Sequence, residues 1–141
     1  MSLLYNIKMN QSVAIIGGGP AGLMAAETLS KHNIKVDVYD AMPSLGRKLL
    51  MAGKSGLNIT HSENFEQFVS KYGNRKEEIR KWLLNFTPDD LRNWVHEFGI
   101  ETFIGTSGRV FPKGMKASPL LRAWINKLSE SGVEFHVRHK L

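Results

Sequence analysis

Short apolar runs alternate with helical stripes along this chain, and their order predicts an α/β fold. Val13-Ala14-Ile15-Ile16 is an unbroken apolar run ended at once by Gly17-Gly18-Gly19, as expected of a buried strand in a parallel sheet. A helix is predicted from Pro20, because a proline at the first helical position gives up no needed donor and its fixed φ suits the turn. Gly22, Ala25, Ala26 and Leu29 then recur at helical spacing and predict a small-residue face lying close to the sheet. Asn33 reads as a cap, and Lys35 to Tyr39 as a second strand with Val36 and Val38 on one side. Strand, helix and strand within this span make a βαβ unit with a right-handed crossover.

Ala41 to His61 reads as mostly irregular, punctuated by Pro43, Gly46, Gly53 and Gly56. Helical patterns follow over Phe65 to Tyr72 and Lys76 to Phe86. Thr87-Pro88-Asp89-Asp90 is a start signal, with Thr87 as N-cap, acids in the first turn and a stripe of Leu91, Trp94, Val95 and Phe98 ended by Gly99. Glu101 to Gly105 and Arg109 to Phe111 predict a hairpin around Thr106-Ser107-Gly108. Ser118 and Pro119 open a last helix striped by Leu121, Trp124, Ile125 and Leu128; Gly132 closes it, and Val133 to Val137 is a third strand. Residues 12–60 therefore form the βαβ unit and its following loop, 61–112 a helical and hairpin insertion, and 118–141 a returning helix and strand. A doubly wound sheet ordinarily continues beyond its first strand. The expectation is either a truncated chain or an exposed edge on that strand.

Composition changes this picture little. A chain of 141 residues, 42% apolar and 23% charged, has the material for one globular domain. Residues before Met9 lack a period and are expected to be a loose leader; no signal peptide or membrane-length apolar segment is visible, so a cytoplasmic protein without a membrane partner is expected. The absence of cysteine excludes disulfides, thiolate metal sites and cysteine nucleophiles. The net charge of +6 suits an anionic cofactor as well as a nucleic acid, and with no recognised nucleic-acid module a nucleic-acid partner is not expected.

The chemistry sits at Gly17-Gly18-Gly19-Pro20-Ala21-Gly22, a Gly-x-Gly-x-x-Gly between a predicted strand and a predicted helix. Gly17 permits the tight turn, Gly19 lets backbone approach a pyrophosphate, and Gly22 allows close helix packing. Unpaired amides at the helix entrance favour the anion. Asp40 ends the second strand, where a carboxylate accepts from ribose hydroxyls and disfavours a 2′-phosphate. These features predict dinucleotide binding without separating FAD from NAD.

The segment from Leu45 to Thr60 makes that separation by resemblance. Through Gly17 to Gly22, Asp40, Gly46-Arg47-Lys48, Gly53, Asn58-Ile59-Thr60, Ser107-Gly108-Arg109-Val110-Phe111-Pro112 and Lys116-Ala117, the chain resembles bacterial FAD-binding oxidoreductases of the BaiN-type or aminoacetone-oxidase-like group. The resemblance implies a Rossmann-like FAD-binding fold, and full-length members are longer than this chain. It implies a cofactor set of Gly17, Gly19, Pro20, Ala21, Gly22, Asp40, Ala41, Gly46, Arg47, Lys48, Asn58, Ile59 and Thr60. In that set Arg47 and Lys48 lie near the phosphates or flavin, and Asn58 to Thr60 line the isoalloxazine. Many members carry Arg-Cys just before the Asn; here Gly56-Leu57 stands there, so no role of that pair carries over.

Arg109, Lys113 and Lys116 are candidates to reach an anion, although a hairpin surface explains them equally. Phe111 and Trp124 read as core, and Ser118 as a helix cap. His32, His61, His96, His136 and His139 show no metal spacing and no carboxylates arranged with them, so no metal is expected, and His61 is a candidate proton donor. The function expected is FAD-dependent oxidation or reduction of a small molecule, with NAD(P)H as a candidate electron donor and weak or no turnover by this chain alone. The alternatives are a non-catalytic or truncated dinucleotide-binding module and a simple NAD-dependent dehydrogenase. Catalytic residues and oligomeric state are not legible.

Overall fold

A computed structural model describes residues 11–140. The leader expected before Met9 lies outside the described residues. The chain forms two compact units, one running to Lys48 and resuming at Trp124, the other Leu49–Ala123.

The first unit is an α/β layer. β1 (Ser12–Ile16), β2 (Lys35–Asp40) and β6 (Glu134–Val137) form a parallel sheet in the order β1-β2-β6. β1 is therefore an edge among the described residues. α1 (Pro20–Ser30) connects β1 to β2 and packs on both. Its buried side is Leu23, Ala26 and Glu27, whereas Ala25, expected on the packed face, is exposed. The buried face is thus rotated from the expected one and includes a carboxylate, Glu27. The helix ends as a Schellman turn: Asn33 adopts φ 58°, its N–H donates to Ser30 O, and that of Ile34 donates to Leu29 O. Val36 and Val38 are buried on one side of β2, as period-two alternation requires.

The second unit carries α3 (Phe65–Ser70), α4 (Lys76–Leu83) and α5 (Pro88–His96), with a small antiparallel sheet in the order β3-β5-β4. β4 (Thr102–Ile104) and β5 (Arg109–Pro112) are the expected hairpin; β3 (Thr60–His61) joins it through Thr60–Val110 and His61–Arg109 pairs, which no local pattern signals. α5 opens on a capping box in which Thr87 and Asp90 exchange side-chain-to-backbone bonds. α4 stops a turn short of Phe86, and its Arg80 pairs with Glu66 of α3. That hydrogen bond, followed by the charge of Arg80, holds the Glu66 carboxyl below its ordinary range.

Two local readings need correction. The stretch after β2 is not irregular throughout, because Arg47–Ala52 is a helix, α2. Arg-Lys-Leu-Leu-Met-Ala are all strong helix formers, and the glycines at 46 and 53 bracket the turn rather than break it. α6 (Ala117–Glu130) starts one residue earlier than expected, so Ser118 lies within its first turn and does not precede it. Its stripe of Leu121, Trp124 and Leu128 is buried as expected.

Candidate functional site: the glycine turn and the cleft beside Asp40

The turn between β1 and α1 is made of close approaches that only glycine allows. Gly17 has φ +104°, and its N–H donates to Tyr39 O at 2.7 Å, tying the turn to the end of β2. A Cβ on Gly22 would stand 1.9 Å from Gly17 O, and one on Gly18 would stand 2.2 Å from a methyl of Leu45. Gly19 differs. A Cβ there would meet nothing within 4 Å. Gly19 is also the N-cap of α1, with no side-chain hydrogen bond closing the helix entrance. The first intrahelical bond is Leu23 N–H to Gly19 O, so the amides of Ala21 and Gly22 precede any intrahelical acceptor.

Asp40 organises what faces that entrance. One carboxylate oxygen accepts the Gly18 N–H at 2.8 Å and the other accepts the Met42 N–H at 2.8 Å. The Gly46 N–H donates to Gly18 O at 2.8 Å, so the post-β2 loop is strapped to the glycine turn from both sides. An ionised carboxylate offers about four acceptor positions, which leaves two free for hydroxyl donors. Gly19, Asp40, Met42, Ser44, Gly46, Arg47 and Lys48 together line one cleft of about 270 Å³. Small-ligand pockets run from about 300 to 1,000 Å³, so this cleft suits part of a dinucleotide, such as the adenosine diphosphate end, and not the whole.

Comparison with known proteins fits this architecture. The model of the HI0933-like protein Rossmann domain matches residues 11–141. The chain belongs to that family. The HI0933-like group is the family of Rossmann-fold, FAD-dependent oxidoreductases to which the motifs pointed. Among curated relatives, this HI0933-like domain is 34% identical over 98 residues to the ribosomal RNA dihydrouridine synthase of Haemophilus influenzae, covering 69% of the chain and 24% of the relative. It is 30% identical over 79 residues to the thiamine thiazole synthase of Pyrococcus horikoshii, covering 56% and 31%. It is 33% identical over 75 residues to the carotenoid phi-ring synthase of Streptomyces griseus, covering 50% and 14%. The matched stretches span less than a third of each of these three relatives. The fold is shared with THI4 of Thermovibrio ammonificans, at TM-score 0.55 and 19% identity over 91% of this chain and 38% of that one. It is also shared with the aromatic hydroxylase CabE, at TM-score 0.50 and 19% identity over 93% and 24%.

Of the residues singled out in the sequence of this HI0933-like domain, Gly19, Asp40, Gly46, Arg47 and Lys48 come together in the cleft. Gly17, Pro20, Ala21 and Gly22 build the turn beside it. Ala41 is exposed between Asp40 and Met42. Met42 and Ser44 line the cleft without having been expected there, because no motif marks a loop residue whose only qualification is its path.

Asn58, Ile59 and Thr60 belong to the second unit. Asn58 is exposed, the Ile59 N–H donates to Val110 O at 2.9 Å, and Thr60 is buried in β3. His61 is consumed by structure. Its Nδ1 accepts the Glu63 N–H at 3.2 Å, which leaves the proton on Nε2 to be donated to Ser107 O at 2.9 Å. Both nitrogens are therefore engaged, and the ring packs on Gly108, which holds φ +77°. In this arrangement the His61 ring pins the β4–β5 turn. Lys113 is paired with Glu101, in keeping with a hairpin surface. The histidines also correct one reading: Asp37 and Glu134 are arranged with His136 in the folded sheet.

Proposed function

We propose that this domain binds the adenosine diphosphate end of FAD and serves as the cofactor-holding part of an FAD-dependent oxidoreductase. One observation carries the reading: an uncapped helix entrance, open above Gly19, shares a cleft with the Asp40 carboxylate and two cationic side chains. The amides at the entrance and the positive end of α1 would hold the diphosphate, with Arg47 and Lys48 adding charge. The free acceptor positions of Asp40 would take the ribose hydroxyls, and its negative charge would repel a 2′-phosphate, which favours FAD or NAD over NADP at this site. Asn58, Ile59 and Thr60 are proposed for the flavin on family resemblance. Flavin supplies hydride and electron transfer; the protein contributes binding, orientation and a polar surround.

The test is titration of the purified chain with FAD and with NAD, followed by flavin fluorescence and calorimetry, for the wild type and Gly19→Ala. FAD is expected to bind more tightly than NAD, with the variant weakened at least tenfold. Binding of NAD with no affinity for FAD overturns the proposal in favour of an NAD-dependent dehydrogenase. A non-catalytic module would bind FAD and show no turnover with any electron donor, NAD(P)H included.

A second reading concerns the substrate. The relative matched over 69% of this chain is a ribosomal RNA dihydrouridine synthase, and the chain carries a net charge of +6. These support a uracil base in RNA as the substrate, in place of a small molecule, and they reopen the nucleic-acid partner that the sequence motifs set aside. Reduction of its C5=C6 bond needs two electrons and two protons, which a reduced flavin and solvent supply. Measuring dihydrouridine in ribosomal RNA from cells with and without the gene decides it. Unchanged dihydrouridine returns the choice to small molecules.

A further inference from the structure

We propose that Asp37, Glu134 and His136, brought together on one face of the β2–β6 pair, form a site for a divalent transition-metal ion. The site shares no residue with the cleft beside Asp40.

The parallel register builds it. Asp37 pairs with Glu134 and Tyr39 with His136, so alternation along both strands puts these four side chains on the face opposite Val36 and Val38. His136 Nε2 lies 2.8 Å from one oxygen of Asp37 and 4.0 Å from an oxygen of Glu134, and one donor atom from each residue falls within 4.8 Å of the others. A tetrahedral first-row ion bound at about 2.0–2.2 Å holds neighbouring donors about 3.3–3.6 Å apart. Asp37 and His136, hydrogen-bonded at 2.8 Å, need only part slightly as the ion replaces the shared proton. Glu134, whose side chain is 56% exposed, needs only a rotamer adjustment to close the third side. The imidazole is held face to face on Tyr39, with ring centroids 4.5 Å apart and planes 17° apart, so its orientation is fixed before any ion arrives.

The donor chemistry narrows the ion. One imidazole with two carboxylates suits zinc, manganese or ferrous iron, while magnesium and calcium prefer oxygen alone. Three protein ligands leave a position for water. Lys35 neutralises these carboxylates, its Nζ lying 3.5 Å from Glu134 and 3.8 Å from Asp37. That side chain is 59% exposed and can swing out, so the ammonium and the ion compete for the same two carboxylates. This competition separates a true site from casual zinc binding by a surface histidine.

The experiment titrates ZnCl₂ into the full 141-residue chain, purified without a polyhistidine tag, by calorimetry in a non-chelating buffer, with thermal melts in parallel. One zinc per chain is expected, raising the melting temperature and resisting millimolar magnesium. His136→Gln and Glu134→Gln should each weaken binding at least tenfold, Lys35→Met should tighten it several-fold, and His32→Gln should leave it unchanged. If His136→Gln fails to fold, Glu134→Gln alone carries the test, since that side chain packs least. Absence of binding at one equivalent overturns the proposal. So does wild-type affinity in the folded His136→Gln or Glu134→Gln protein, or loss of binding in Lys35→Met.

Discussion

The indole N–H of Trp124 donates to a carboxylate oxygen of Glu27 at 2.7 Å, and both side chains are buried. The other carboxylate oxygen accepts from Lys31 Nζ at 2.9 Å, one helical turn along α1. A carboxylate taken out of water is tolerated only when its acceptors are filled, so this pair fixes α6 against α1 in one rotational setting.

Trp124→Phe keeps most of the apolar surface and deletes the donor. Urea denaturation should show a loss of about 1–3 kcal/mol, the usual cost of stripping a partner from a buried charged acceptor. Combining it with Glu27→Gln in a double-mutant cycle should give a coupling of about 0.5–3 kcal/mol; additive losses would mean the contact contributes nothing.

Two alanines in the same turn should behave oppositely. Gly22→Ala drives a methyl to 1.9 Å from Gly17 O, so α1 cannot seat and the melting temperature should fall sharply. Gly19→Ala meets no protein atom within 4 Å and starts from φ −80°, which alanine accepts. Its melting curve should match the wild type while dinucleotide affinity drops at least tenfold.

Asp40→Ala strips the acceptor from the buried Gly18 amide and from Met42. Thermal and urea unfolding should register about 1–3 kcal/mol of destabilisation even without cofactor, because an unsatisfied buried donor carries its full desolvation cost. Asp40→Asn retains one acceptor oxygen and should fall between the two.

Acid should loosen α5 from its start. The Asp90 carboxyl is held below its ordinary value by the Thr87 hydroxyl, at 2.6 Å, and then by the Thr87 N–H, at 2.8 Å. A folded value below the unfolded one means the contribution is complete above the ordinary Asp range and disappears as pH falls through the folded value. An NMR titration should place the Asp90 midpoint below that of an unstructured Asp, and Thr87→Ala should return it upward while costing about 1 kcal/mol of cap stability.

His61→Ala should release the hairpin turn. The Ser62 N–H, bonded to Gly108 O at 2.8 Å beside the His61 ring, should exchange with solvent measurably faster in the variant. Unchanged exchange would show that the ring does not hold that turn.

Legibility followed the range of the interaction. The βαβ order, the glycine turn and the place of Asp40 at the end of β2 could be read because each follows from a local pattern of residue types. The same is true of Thr87 and Asp90 at the start of α5 and of the β4–β5 hairpin. Met42 and Ser44 in the cleft, β3 as a third strand, and Glu27 among the buried residues could not. A buried glutamate looks like any helical glutamate until its partner, 97 positions away, is in place. Likewise His61 carries no mark in the sequence of its two backbone partners, Ser107 O and the Glu63 N–H.

By itself, then, the amino-acid order determined the strand, turn and helix that leave an uncapped helix entrance, since backbone sterics and the positions of glycine and proline act locally. Tertiary structure alone decided which side chains share a face across neighbouring strands. Asp37 meets Glu134 and His136 only through the β2–β6 register, and Asp40 meets Gly18 only once β1 and β2 pair. Register is a property of two segments at once, so neither segment contains it.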